Sequence, residues 1–286
     1  MVKVPLLENM TRDNNMMDIT TNACFSCPED YYHEQNIKRL AKLINIDPEI
    51  LNMYSKWVKI NGKYYFFKSH YAFEELFINQ IFKSMNIETI NHQIASFDGE
   101  LGIISENFRK PQSKYYFYDE LVKNDSNHND FINNNNMLKT IMKKEDYDKY
   151  LNTVFKIIAV DILFGQYDRL EQNVIFEKSK DSIKLAPMFD NGCIFDSDYG
   201  DIILYQSCFG NFSFSGIYED YYTTEILQKY PLLVSCLNEI INLDLTEIFN
   251  ELELEYKIKI YKELRKNIQK YFDKHRKTVA KRLKFL

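Results

Sequence analysis

Glycine and proline are scarce in this chain of 286 residues, at 8 and 6, and no glycine-rich loop precedes its first hairpin-like run. Asn, Ile, Lys, Tyr and Phe dominate instead, which reads as compositional drift rather than as function. The cysteines are few, odd in number and scattered, which fits a reduced compartment better than a disulfide framework. Cys24 and Cys27 form a lone C-x-x-C with no second pair to complete a zinc site. A basic surplus is missing too: the formal charge of −5 arises from dense charges of both signs, without the footprint of a nucleic-acid binder. No run approaches the roughly 18 uninterrupted apolar residues of a membrane span, and "MVKVPLLENMTRDNNMMD" has no apolar core for a secretory signal. The expectation is a cytoplasmic protein without membrane partners, or a delivered effector without a recognisable signal.

What is present suffices for a real core. Hydrophobic residues make up 45% of the chain and aromatics 15%, far from a disordered composition. The length suits one large domain or two lobes sharing a cleft. "EQNIKRLAKLINI" and "DPEILNMY" read as two short helices at the edge of a lobe, with too few basic residues for a DNA-binding pair. "SKWVKINGKYYFFKSH" is a hairpin turning at Asn61-Gly62, its second strand ending at Lys68. "FEELFINQIFKSM" places Phe73, Leu76, Phe77, Ile81 and Phe82 on one helical stripe. "HQIASFDGELGIISENF" returns to strands around Asp98-Gly99. The amide-rich "NDSNHNDFINNNN" reads as a solvated loop, "YDKYLNTVFKIIAVDILFG" as a helix, and the remainder after residue 200 as mainly helical. These runs predict an α+β fold of two lobes: residues 1–108 with a small antiparallel sheet and one long helix, and 109–286 larger and mainly helical.

Candidate chemistry gathers after the buried helix. In "FGQYDRLEQNVIF" Asp168 lies in a turn and Asn173 opens the next apolar run, so both side chains can converge on one point. "IKLAPMFDNG" follows a hairpin-like turn and delivers Asp190 to the same edge. Oxygen donors of this kind suit Mg²⁺, which takes one or two carboxylates together with substrate phosphates and water. A further carboxylate would orient a hydroxyl nucleophile and accept its proton, the arrangement of phosphoryl transfer. The other lobe must then supply a cation for the phosphates and an acid to hold it. Lys68 at a strand end and Glu75 in the first turn of the next helix form that pair, with Glu74 the rival acid. Glu106 falls where a strand leaves the small lobe, where backbone groups can meet an adenine ring, and Ser55 and Lys56 would cover the phosphates.

"LFGQYDRLEQNVIF" with "KLAPMFDNG" resembles the HipA-like kinases, and the layout resembles their compact CtkA-type serine/threonine kinases. "FFKSH" and "FEELFINQIFKSMNI" are similar to the family's phosphate-lysine strand and glutamate-bearing helix, so the likeness runs over about residues 55–210. The resemblance implies a two-lobed protein-kinase-like fold and an ATP- and Mg²⁺-dependent enzyme that phosphorylates serine or threonine hydroxyls, with its own chain among the candidate acceptors. It makes Asp168 the catalytic base, Asn173 and Asp190 the metal ligands, Lys68 the phosphate contact and Glu75 its partner, with Asp161 supporting the loop. Leu170 stands where the family commonly has His, and Gln166 where it has Asn. Those departures, and the missing glycines, keep two alternatives open: a nucleotide-binding pseudokinase and a small-molecule kinase of the same fold. The protein substrate is unspecified, and Ser197, Tyr199 and Ser207 are candidate acceptors.

Overall fold

The computed structural model describes residues 10, 17–19, 23–24, 55–110, 112–122, 131–195, 202–215 and 221–284. The two short helices expected between residues 34 and 54, together with Cys27, Ser197 and Tyr199, lie outside the described residues.

The small lobe is a curled sheet with one helix across it. Its strands are β1 (Met17–Asp18), β2 (Ala23–Cys24), β3 (Ser55–Ile60), β4 (Lys63–Lys68), β5 (His92–Phe97) and β6 (Glu100–Glu106), and helix α1 (Ala72–Ser84) connects β4 to β5. The order across the sheet is β1-β5-β6-β4-β3-β2, antiparallel throughout except for the two-residue β1–β5 pair. Both hairpins turn where positive φ is tolerated, at Asn61-Gly62 (φ 50° and 84°) and Asp98-Gly99 (φ 50° and 79°).

Alternation along the strands gives the sheet two faces. Trp57, Phe66, Lys68, Ile103 and Ser105 line the cleft, while Val58, Phe67, Ala95, Phe97 and Ile104 form a small cluster with Ile19 on the far side. This parity corrects the expectation for Lys56. Its register partner is Phe67, and its ammonium sits 3.6 Å above the Phe97 ring, away from the phosphate side. Burial there lowers the lysine's pKa, against the pull of Asp98 and Glu100.

Helix α1 is buried well beyond one stripe, since Ile78, Asn79 and Gln80 are covered as well. The extra cover comes from the large lobe. Phe77 packs against Phe164, Phe195 and Phe249 with ring centroids 5.5–6.0 Å apart, and Gln80 donates to Glu251 at 2.6 Å. Lys156 donates to the Met85 carbonyl at 2.7 Å, closing the end of the helix.

The large lobe comprises β7 (Lys114–Phe117), α2 (Tyr118–Leu121), α3 (Phe131–Ile141), α4 (Lys144–Phe164), β8 (Ile175–Lys178), β9 (Ile183–Leu185), β10 (Ile202–Ser207), β11 (Gly210–Ser215), α5 (Tyr221–Lys229), α6 (Pro231–Ile240), α7 (Leu245–Glu255) and α8 (Lys262–Leu283). Strands β7, β8 and β9 form one small antiparallel sheet. Helix α8 buries Leu264, Ile268, Phe272 and Val279, and Phe272 stacks on Phe164.

One expectation fails here and another holds with an addition. The asparagine tract is helical from Phe131 onward: Phe131 is wholly buried against Phe155, Phe212 and Tyr230, and Asn135 donates to the Phe131 carbonyl at 2.6 Å. Tertiary burial of one aromatic overrides the weak helix propensity of Asn. After residue 200 the described residues are mainly helical, as expected, but they open with the β10–β11 hairpin. Its inward side chains Tyr205 and Phe212 pack in the core of the large lobe. Among the described residues no helix is long and apolar enough to cross a membrane.

Candidate active site

The loop after α4 is held at both ends by the chain's own polar groups. Gly165 closes the helix in the left-handed region at φ 63°, where a residue without Cβ is unstrained. Gln166 accepts from the Asp168 amide at 2.8 Å and donates to the Asn191 carbonyl at 3.3 Å. Gln166 therefore shapes the turn itself. A single 3-10 turn, Glu171–Asn173, follows, and Asn173 Nδ2 donates to the Asp168 carbonyl at 2.6 Å, leaving its amide oxygen for other partners. Arg169 carries the loop's deepest anchor. Its side chain is wholly buried and its guanidinium binds Asp161 through two bonds of 3.0 and 3.1 Å, while Tyr205 donates to the same carboxylate at 2.9 Å. A buried charge persists only when paired and fully bonded, and this one is.

Strands β8 and β9 bring residues 188–193 against the small lobe, where Met188 bridges Thr89. Asp190 adopts φ 52°, a conformation that Asp tolerates better than most residues. Gly192 passes so close to the start of α1 that a Cβ would sit 2.9 Å from both the Cβ and the carbonyl of Tyr71. Between them Asn191 is fully buried and joins three elements. It donates to Asn79 at 2.8 Å and to Glu75 at 3.3 Å, and accepts from Arg169 at 2.8 Å.

Lys68 closes the arrangement from the sheet. Its ammonium contacts Asp190 directly and lies 3.7 Å from Glu75. Burial disfavours its charge, but Asp190 and Glu75 outweigh that and hold its pKa above the ordinary lysine value. Burial likewise opposes ionisation of Glu75, yet Lys68 and then His92 pull its pKa down to about 2. Asp168 moves the other way: burial first, then the neighbouring Asp190, raises its pKa. The Cys193 thiol lies 3.8 Å from Asp168 Oδ2, and burial raises the pKa of that thiol to about 12.

Lys68, Glu75, Glu106, Asp168, Asn173 and Asp190 all line one cavity of about 370 Å³. The Glu106 side chain points to the outer face, paired with Lys63 at 2.7 Å. Its backbone is the relevant part. Because the Asn107 amide donates to the Tyr64 carbonyl at 2.9 Å, ladder alternation turns the Glu106 amide and carbonyl away from β4, toward an edge that β5, starting at His92, does not cover. Ser55 is paired with Lys68 in the β3–β4 register. Ser207, by contrast, is buried and bonds the Phe209 amide, so it is no surface acceptor.

The donor set fits a nucleotide-borne Mg²⁺ rather than an all-protein cage. Among the described residues no three His, Cys, Asp or Glu side chains are grouped to hold a metal alone, whereas one carboxylate and one amide oxygen beside a basic residue suit an ion shared with phosphates. Sequence reasoning missed Asn191, Cys193 and His92. Asn191 directly follows the aspartate already singled out, and its amide type was the available signal. Cys193 stands three residues after the same aspartate, while His92 gave no local signal, because only the fold brings it to the cleft.

A curled sheet with one helix, which brings the lysine, and a helical lobe, which brings two aspartates and an asparagine, meet at one cleft in a two-lobed, kinase-like fold. Two solved structures are similar over most of their length. One is the proinflammatory kinase CtkA of Helicobacter pylori, with a TM-score of 0.57 at 12% identity, covering 81% of this chain and 94% of that one. The other is HipA of Shewanella oneidensis MR-1, solved with HipB and its operator DNA, with a TM-score of 0.56 at 13% identity, covering 85% of this chain and 70% of that one. At such identities the likeness carries the fold. No protein-family model and no curated protein matches the sequence.

Proposed function

We propose that the chain is an ATP- and Mg²⁺-dependent protein kinase that transfers the γ-phosphate to serine or threonine hydroxyls. The observation that carries this reading is the contact of Lys68 with Asp190 and Glu75 at a cavity also lined by Asp168 and Asn173. Mg²⁺, when bound, would offset charge on the β and γ oxygens. The Asp190 carboxylate and the Asn173 amide oxygen would hold it, while Lys68 turns from Asp190 to the phosphates and Glu75 keeps the ammonium aligned. Asp168 orients the acceptor hydroxyl and takes its proton, a task suited to a carboxylate whose pKa is raised toward the working pH. The Glu106 backbone would meet the adenine edge, and Ser55 on β3 would help cover the phosphates where a glycine-rich loop is absent. A cytoplasmic setting accords with the ATP requirement and with the free thiols of Cys193, Cys208 and Cys236.

A second reading, a nucleotide-binding protein that transfers nothing, draws on Leu170, which is 39% exposed beside the proposed base where the family commonly has His. Incubation with γ-labelled ATP and Mg²⁺ separates the two. Label on the chain or on an added protein supports the kinase; bound nucleotide without label on any acceptor supports the second reading. Label passing only to small hydroxyl compounds would instead make it a small-molecule kinase.

A further inference from the structure

The back wall of the cleft holds a polar side chain that phosphate chemistry leaves unused. His92 opens β5, its side chain is 4% exposed, and it lines the cavity. Neither ring nitrogen has a hydrogen-bond partner among the described residues. The nearest charged group is Glu75, whose Oε1 lies 3.6 Å from Nε2, longer than a hydrogen bond. A buried polar group left unpaired is costly and points to a ligand or water as its missing partner. Ser105 stands opposite His92 in the β5–β6 register and lines the same cavity. The next residue along β6 is Glu106, with its backbone turned to the open edge.

The chemistry of the wall is directional. Glu75 is ionised beside Lys68, and a carboxylate can only accept. On a neutral ring it would favour the imidazole proton on the facing Nε2, which leaves the lone pair on Nδ1. Nδ1 is then an acceptor on a residue that lines the same cavity as Glu106, whose carbonyl also accepts. An exocyclic amine carries two hydrogens and can satisfy both. A carbonyl at the same place would face two lone pairs.

We propose that His92, on the wall it shares with Ser105, reads the exocyclic group of the nucleotide base, accepting from the 6-amine of adenine and rejecting the 6-carbonyl of hypoxanthine or guanine. The inference rests on the nucleotide-binding reading given above. It makes base choice a property of the sheet's back wall as well as of the connector.

The test is calorimetric titration of the whole chain with the Mg²⁺ complexes of ATP, inosine triphosphate and purine riboside triphosphate, which lacks the amine. The wild type should bind ATP roughly 10- to 100-fold more tightly than either analogue, the scale of one or two hydrogen bonds. His92→Phe keeps the volume without the acceptor and should shrink the ATP-to-inosine ratio by about tenfold, mainly by weakening ATP. His92→Gln restores an acceptor and should recover part of the ratio, and it stands in should the Phe variant fail to fold. Equal binding of ATP and purine riboside triphosphate by the wild type would overturn the proposal. So would an unchanged ratio in His92→Phe, or a ratio in His92→Gln no better than in His92→Phe. Failure of all three nucleotides to bind would overturn the nucleotide-binding reading itself, a result distinct from bound ATP without discrimination.

Discussion

The two walls of the cleft are built differently. The wall formed by α1 and the loop after α4 belongs to the main core of the large lobe: Phe77 and Phe164 lie in one continuous apolar cluster, and Asn191 bonds Glu75, Asn79 and Arg169 without exposure. The opposite wall is a sheet whose far side rests on a small separate cluster around Val58, Phe67 and Phe97. Close-packed, fully bonded groups hold their positions, whereas thinly packed elements open at lower cost. The comparison teaches which partner must move. Glu75 and Asn191 are held in the buried network, and under the proposed function Lys68, on the lighter wall, is the group that would exchange Asp190 for phosphate.

Breaking the reactive group on the fixed wall should have the largest effect. Asp168→Ala should lower γ-phosphate transfer roughly 10²- to 10⁴-fold while leaving Mg²⁺–ATP affinity nearly intact, as steady-state transfer beside calorimetry will read. Asp190→Ala should remove the Mg²⁺ dependence of nucleotide binding without unfolding the chain, because Glu75 still partners Lys68; a titration with and without Mg²⁺ checks this. Asn191→Ala leaves buried Arg169, Asn79 and Glu75 groups short of a partner, and chemical denaturation should give a loss of about 2–4 kcal/mol. The same change at Lys56, outside the cleft, should leave nucleotide affinity within about twofold.

Acid sharpens the contrast between the two carboxylates. Transfer should fall with acid as Asp168 is protonated, at a higher pH than for an unperturbed aspartate, since burial and Asp190 raise its pKa. Glu75 is depressed from 4.5 to about 2, so its contribution to stability is complete above 4.5 and is lost as the pH falls toward 2. A pH series of transfer rates and unfolding midpoints should therefore show activity failing before this part of the stability does.

Much of the fold was legible because its signals are local. The Asn61-Gly62 and Asp98-Gly99 turns, the apolar stripe of α1 and the Gly165 stop each follow from backbone freedom or side-chain period. The Asp168-to-Asn173 spacing was legible for the same reason, and so was the strand before Asp190, although it ends at Leu185 and leaves Asp190 in the loop beyond. The asparagine tract was misread because a distant aromatic cluster, not the tract, decides its conformation. The β10–β11 hairpin lacked strong turn residues. Lys56 was recoverable in principle: pairing Ser55 with Lys68 puts the next residue on the opposite face by parity alone. His92 was not recoverable, since nothing within several residues of it speaks of a cleft, whereas Cys193 stands three residues after Asp190.

The most direct measurement is a crystal structure with Mg²⁺ and a non-hydrolysable ATP analogue. The account predicts the triphosphate between the sheet and the loop after α4, with Lys68 moved from Asp190 onto phosphate oxygens, Mg²⁺ on Asp190 and Asn173, and Asp168 facing the γ-phosphate. Nucleotide bound elsewhere, or Lys68 still on Asp190 with the phosphates remote from both, would contradict it.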